Sequence, residues 1–367
     1  MYPKTTFSIL VTFLAVLTLS CSDDDNGGGR SGIELLAKLD LRGPTTDVWG
    51  YVDANTGKEY ALVGFGNFND PPNSGFHIVD VSDAKNPVLV ATVNSVPGFD
   101  VKTWDHYAYG VNGRDDGLGG VVDLTDPAAP AVVGSFPSGH NMFIADNGYM
   151  YLETGNVQLR IFNLNPDPTA PVQVWRGGNS DGHDATVIGN TLYDFGGFGA
   201  TNIYDVSDPT DPKLKGSIDA PFVSFHHSGW PTEDGNFLFI CNELSQHPDP
   251  DITVWDIRDP AKPQLVGEFK DADANVHNLF VIGNFAYTSY YAAGFRVFDV
   301  SDPAQIKLVD EFDTSPGVDQ GTTFQGAFGV YPLAPSGHIY VSDVTDGLLV
   351  FSFTPPAGGT SAGIVAP

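Results

Sequence analysis

Four of the nine histidines of this chain stand in similar settings, each directly before a short apolar segment. They are His140, His183, His227 and His277. Burial and mutual repulsion would keep such imidazoles neutral, and a neutral imidazole is a good ligand for a transition metal. Asp47 and Asp100 begin two further segments of the same kind. Four imidazoles and two carboxylates would suit Zn, Cu, Ni or Fe, so one hypothesis is a metal site at these residues.

The same histidines also allow a purely structural interpretation. Each imidazole could donate to a neighbouring carbonyl or to channel water and so form a polar plug. The four residues belong to separate segments, so their spacing along the chain favours neither hypothesis. His226, next to His227, leaves open which of these two imidazoles points inward.

A second group of polar and aromatic residues is predicted in loops near the same histidines. Loops on a rigid scaffold commonly carry binding residues, and a protein or glycan ligand is expected there. In a chain this acidic, the same residues are equally typical of solvated surface. The candidates are Asp115, Asp116, Glu153, Glu243, Tyr290 and Asp343.

The element that positions these residues is an internal repeat. A Val-Asp-Val-Ser-Asp pattern around Asp80 returns, with variations, throughout the chain. Intervals of roughly 40 to 50 residues between the copies are typical of the blades of a β-propeller. The corresponding positions are Asp80, Asp123, Asn163, Asp205, Asp256, Asp299 and Ser352.

Each repeat is predicted to form four short strands, with a Ser-Asp-Pro turn between the third and the fourth. No segment shows sustained helical periodicity, so the fold class is all-β. The last repeat has material for three strands, and Ile33 to Leu41 can supply the fourth. We therefore predict a seven-bladed β-propeller over residues 33–354, closed by an N-terminal strand that removes two open sheet edges.

The N-terminal residues are typical of an export signal. An apolar stretch too short to span a bilayer ends at Leu17-Thr18-Leu19-Ser20-Cys21. This resembles a bacterial lipobox, which implies a signal peptide over 1–20, a lipid on Cys21 and anchoring in a membrane. Residues 21–32 are predicted to be a flexible acidic and glycine-rich tether, and 355–367 a disordered tail. The acidic run after Cys21 resembles the export signal of Bacteroidetes surface lipoproteins, which implies the outer membrane or cell surface.

Composition excludes one class of partner. The chain has 45 Asp and Glu against 17 Lys and Arg, a net charge of −28. Such a surface repels phosphate backbones, so nucleic acid is not an expected partner. Two cysteines in unlike contexts, Cys21 and Cys241, predict no disulfide framework.

Several local motifs together resemble one family. His140-Asn141-Met142-Phe143, His183-Asp184-Ala185, His227-Ser228-Gly229-Trp230 and His277-Asn278-Leu279-Phe280 accompany the repeat over nearly the whole chain. The sequence is similar to the LVIVD-repeat, choice-of-anchor B proteins. The resemblance implies a surface-anchored propeller and no defined biochemical activity.

Three functions fit this pattern. A cell-surface binding module is the leading hypothesis, because the residues form no complete catalytic constellation. A metalloprotein with a histidine-lined channel, carrying out redox or hydrolytic chemistry, is the second. A structural adhesin or envelope spacer is the third.

Overall fold

The chain folds into seven four-stranded antiparallel sheets. The computed structural model describes residues 32–66, 73–155, 157–179, 181–245, 248–318 and 324–356. Within these ranges there are 28 strands and no α-helix. The predicted all-β, seven-bladed propeller is confirmed.

The first four blades each contain four strands that are consecutive in the chain. Blade 1 has β2 (Thr45–Val52), β3 (Glu59–Phe65), β4 (Gly75–Asp80) and β5 (Val88–Val93). Blade 2 has β6 (Asp100–Trp104), β7 (Tyr107–Val111), β8 (Leu118–Asp123) and β9 (Ala131–Pro137). Blade 3 has β10 (Asn141–Ala145), β11 (Tyr149–Glu153), β12 (Leu159–Asn163) and β13 (Val172–Gly177). Blade 4 has β14 (Asp184–Ile188), β15 (Thr191–Phe195), β16 (Thr201–Asp205) and β17 (Lys213–Ile218).

The last three blades follow the same plan until the chain ends. Blade 5 has β18 (His226–Pro231), β19 (Phe237–Asn242), β20 (Ile252–Asp256) and β21 (Gln264–Phe269). Blade 6 has β22 (Leu279–Ile282), β23 (Phe285–Ser289), β24 (Phe295–Asp299) and β25 (Lys307–Phe312). Blade 7 has β26 (Ala327–Tyr331), β27 (Ile339–Asp343), β28 (Gly347–Thr354) and, from the other end of the chain, β1 (Gly32–Leu39).

The pairing of β1 with β28 closes the ring. It extends from Gly32 opposite Thr354 to Leu39 opposite Leu348, with a bulge between Leu35 and Ala37. The backbone N–H of Ile33 also donates to Asp310 of blade 6 at 2.7 Å. The predicted closing strand is thus observed in blade 7, and it is also bonded to blade 6.

The repeated Asp residues act through local turn chemistry. The carboxylate of Asp205 accepts from the backbone N–H of Ser207 at 3.0 Å, and that of Asp208 from Thr210 at 3.0 Å. Asp80 and Asp299 make the equivalent bonds. This confirms the prediction that the aspartates bind backbone N–H groups ahead of them and turn the third strand into the fourth.

Burial falls from the propeller axis to its rim. Every residue of β2 except Val52 is buried, whereas Val88 and Leu89 of the outer strand β5 are exposed. Trp230 lies between Phe143 and Phe280, with ring centroids 6.1 and 4.7 Å away. These three side chains come from inner strands of different blades, so they fill the channel at this level.

Some predictions fall outside the described residues. They are the signal peptide, Cys21, the tether up to residue 31, and residues 357–367 of the predicted tail. Among the described residues there is no helix of the length and apolarity needed to cross a membrane.

A truncation tests the role of β1. Deleting residues 1–40 is expected to lower the free energy of unfolding by about 4 kcal/mol, because Ile33, Leu35, Leu36 and Leu39 lose partly buried surface. For a domain of this size that is roughly 6 °C in melting temperature, measured by calorimetry. The matched control is deletion of residues 1–30, which keeps β1. Equal melting temperatures for the two truncated chains would contradict the closing role.

Candidate ligand-binding cavity

Six aromatic side chains form a closed circle around the mouth of the channel, here called the histidine ring. Neighbouring ring centroids are 4.2 to 5.9 Å apart all the way round. The members, in order, are His140, His183, His227, His277, Phe328 and Phe99. The four imidazoles are consecutive and form a nitrogen arc, and the two phenyl rings form a phenyl arc opposite.

The propeller places these residues at one level because each lies at the start of an inner strand. His140 and His183 directly precede β10 and β14, and Phe99 directly precedes β6. In blade 5 a bulge between His226 and Ser228 turns His227 toward the axis. His226 instead faces Thr201, whose hydroxyl lies 2.8 Å from its Nδ1. The inward imidazole of this pair is therefore His227.

Backbone and carboxylate oxygens orient three of the imidazoles. Nδ1 of His140 lies 2.9 Å from the carbonyl of Gly113, and Nδ1 of His277 lies 2.6 Å from that of Phe328. Nδ1 of His183 lies 3.0 Å from a carboxylate oxygen of Asp184. A carbonyl can only accept, so Nδ1 carries the proton and Nε2 carries the lone pair. The described partners leave Nδ1 of His227 buried and without a hydrogen bond.

The imidazoles are neutral at neutral pH. Burial lowers the pKa of His140, His183 and His277 to about 4. Burial, followed by repulsion from the other three imidazoles, holds the pKa of His227 well below its usual value. This agrees with the sequence-based expectation that the imidazoles are neutral.

Glu243 follows β19 and brings a carboxylate to the nitrogen arc. Its Oε2 lies 3.7 Å from Nε2 of His227, and its Oε1 accepts a short hydrogen bond from the hydroxyl of Tyr291. Burial raises the pKa of Glu243 to about 7. Tyr291 has a positive φ of 41°, an unusual conformation for a non-glycine residue, and this backbone directs its ring into the cavity.

Below the ring, a buried ammonium joins two carboxylates. Nζ of Lys102 lies 2.8 Å from Oδ2 of Asp47 and makes a shorter contact with Asp100. Asp100 also accepts from the backbone N–H of Met142 at 2.8 Å. Burial raises the pKa of Asp47, but Lys102 and the surrounding hydrogen bonds lower it further, so this carboxylate stays charged. Asp47 and Asp100, predicted as metal ligands, thus sit one level deeper than the imidazoles and pair with Lys102.

The histidine ring surrounds a cavity of about 310 Å³, here called the histidine cavity. Its floor is formed by Asp47, Asn141, Asp184 and Asn278. Beneath that floor lies a space of about 40 Å³ bounded by Trp49, Phe143, Trp230 and Phe280. These four aromatic side chains pack beneath the histidine cavity.

The predicted loop candidates divide into two groups. Asp115 and Asp116 are exposed in the loop after β7, and Glu243 lines the histidine cavity. Glu153, Tyr290 and Asp343, however, are fully buried and are not among the residues that line the histidine cavity. Tyr290 packs on Arg296, and Asp343 accepts from Ser315 and Thr345. The structure thus places these three residues in the protein interior, and their role as ligand candidates stays a prediction.

Phe99, Lys102 and Phe328 were not among the predicted site residues. Phe99 directly precedes the predicted residue Asp100, and Phe328 lies in β26. Both are ordinary apolar residues, so no chemical signal distinguished them. Lys102 could have been noticed as an isolated cation in an acidic chain, two residues after Asp100 and therefore on the same strand face.

Fold and cavity together define a class: a seven-bladed β-propeller with a cavity at the mouth of its channel. A family model described as the LVIVD repeat matches residues 59–95, 200–220 and 274–314, which lie in blades 1, 4 and 6. The chain thus carries LVIVD repeats within a seven-bladed β-propeller.

Comparison with solved structures supports the fold alone. The WD40 β-propeller domain of Doa1 is similar with a TM-score of 0.61 at 13% identity, covering 88% of this chain and 97% of that one. The β-propeller domain of Cps50 (Swd1) from Myceliophteria thermophila has a TM-score of 0.62 at 12% identity, covering 88% and 100%. No curated protein matches the chain.

The buried ion group leads to a stability prediction. Lys102→Met is expected to cost about 3 to 5 kcal/mol in urea unfolding, because Asp47 and Asp100 lose their cation while remaining buried. The control is Lys213→Met, at an exposed pair with Asp211, which should leave the midpoint unchanged.

The stability lost in Lys102→Met should depend on pH. Without Lys102, burial raises the folded-state pKa of both carboxyls above their unfolded value of about 3.9. The folded variant then binds more protons than the unfolded chain, so its stability rises as the pH falls. The destabilisation should be larger at pH 8 than at pH 5. A loss that grew toward pH 5 would contradict this account of the ion group.

Proposed function

We propose that this protein is a metal-binding propeller displayed on the cell surface, with the metal held by His183, His227 and Glu243. One observation carries the proposal: a ligand atom from each of these three residues lies within 4.8 Å of the other two. A divalent transition metal placed among them can contact all three after small side-chain adjustments.

The donor set suits a metal with open coordination positions. Two imidazoles and one carboxylate are typical of catalytic zinc sites and of non-haem iron(II) sites, which keep positions for water or substrate. The hydrogen bond from Nδ1 of His183 to Asp184 is the outer-shell contact that metal-binding histidines usually make. His140 and His277, one on either side, could supply a fourth donor.

A second triad, His140, His183 and Asp184, satisfies the same distance limit. We favour the first, because Asp184 already accepts from Nδ1 of His183 and so serves to orient it. His183 belongs to both sets, which makes it the decisive residue for a test.

The alternative of a polar plug fits the histidine ring less well. Below the histidine ring, the Lys102 ion group and the aromatic side chains around Trp230 already occupy the channel. The imidazoles instead border about 310 Å³ of space. That cavity also favours a binding function over a structural spacer.

Metal content tests the proposal directly. The full chain, purified without an affinity metal and loaded with Co²⁺ or Zn²⁺, is expected to hold one ion per chain by plasma mass spectrometry. His183→Ala should weaken binding at least about 100-fold, because even outer-shell losses cost 10- to 100-fold. His106→Ala, which changes a histidine outside the cavity, is the matched control. No bound metal, or equal affinity in both variants, would refute the metal site.

Surface display is supported by the sequence before residue 32. We infer that Cys21 carries a lipid and that the acidic run after it directs export to the outer surface. Cys21→Ala is expected to move the protein from the membrane fraction to the soluble fraction of a bacterial host, as seen by immunoblotting. Cys241→Ala, at a buried cysteine, is the control and should remain with membranes. Unchanged membrane association of the Cys21 variant would argue against a lipid anchor.

A further inference from the structure

We propose that the histidine cavity binds a small aromatic hydroxyl compound, a phenol or catechol, with its oxygen on the metal and its ring against the phenyl arc. The inference rests on the proposed function, since the oxygen needs the metal. It specifies the class of molecule that fills the remainder of the cavity.

The histidine cavity is larger than a metal ion alone would fill, so it has room for a second molecule. At about 310 Å³ it has roughly ten times the volume of a water molecule, while a metal ion fills about one such volume. Pockets for small organic ligands begin at about 300 Å³. The available space therefore fits a molecule with a single ring.

The shape of the wall indicates an aromatic ring. His183 and His227, the proposed metal ligands, lie in the middle of the nitrogen arc, so the open side of the metal faces Phe99 and Phe328. These two phenyl rings meet edge to face, with centroids 5.9 Å apart at 85°. Such an edge-to-face corner offers both faces and edges to a third ring, an arrangement that aromatic groups prefer.

The residues at the rim of the histidine cavity also favour an aromatic ligand. Phe324 is 53% exposed and contacts the ring of Tyr291 at 5.3 Å, and Phe198 is 73% exposed and contacts Phe225 at 4.8 Å. Phe225 in turn packs on His183 at 5.0 Å. Two exposed phenyl groups thus lead by ring contacts to the histidine ring, and they give an apolar molecule a first contact at the mouth.

A hydroxyl oxygen suits the open side of the metal. Asp47 and Asp100 contact Lys102 below, and Asp184 accepts from Nδ1 of His183, so these carboxylates already have partners. A metal also promotes deprotonation of a bound hydroxyl.

Spectroscopic titration tests the inference. The Co²⁺-loaded full chain is titrated with 4-nitrocatechol, and with cyclohexanol as a non-aromatic hydroxyl compound of similar size. Nitrocatechol is expected to shift the cobalt absorption bands and to bind with a definite Kd, whereas cyclohexanol should bind at least about tenfold more weakly.

Variants separate the phenyl arc from the metal. Phe328→Leu and Phe99→Leu should retain one cobalt per chain and weaken nitrocatechol binding about tenfold, since an aromatic pair is worth up to ~1.5 kcal/mol. Phe237→Leu, on the second strand of blade 5 and outside the cavity lining, is the matched control and should change neither property.

The possible outcomes distinguish the two proposals. Cobalt binding without a spectral response to nitrocatechol, or equal affinity for cyclohexanol, overturns the inference and leaves the metal site standing. Unchanged nitrocatechol affinity in both phenyl-arc variants overturns it as well. Absence of metal under every loading condition overturns the proposed function and this inference together.

Discussion

Closure of the ring by β1 against β28 is the constraint on which the rest of the molecule depends. The seventh blade takes its outer strand from the N-terminal side of the described fold and its other three strands from the C-terminal side, so this pairing ties the two ends together. In the closed ring the inner strands bring four histidines, widely separated in sequence, to centroid distances of 4.2 to 4.4 Å. The pairing at the rim and the histidine ring at the centre thus belong to one closed structure.

The channel is divided into layers with different physical roles. Aromatic side chains around Trp230 provide apolar packing, and above them the ammonium of Lys102 contacts the carboxyl groups of Asp47 and Asp100. The imidazoles above both layers need not stabilise the channel. Backbone carbonyls orient His140 and His277, and Asp184 orients His183. Stability and binding are thus assigned to different depths of one channel.

The sequence predicted the fold well because its signals are local. The Asp-centred turns and the missing fourth strand of the last repeat are both visible in short segments, and both are observed. The level of the histidines followed from their position before each inner strand. Side-chain direction was less accessible: the bulge at His226 and the positive φ of Tyr291 decide which of two neighbours faces the cavity. Such features depend on contacts between blades, which a short segment of sequence does not reveal. For the same reason the sequence placed Asp100 at the level of the histidines, where the structure has the preceding residue, Phe99.

The closing strand has a mechanical consequence. β1 begins the described fold, and it is an outer strand held by pairing along one side with β28 and by the Ile33–Asp310 bond. A pull on the chain ahead of Gly32 is therefore borne first by this ladder, before any other blade is strained. Detachment of β1 would leave β28 as an open edge and remove the bond to blade 6. A force on the N-terminus therefore acts on the outermost strand of blade 7, three strands away from the axis.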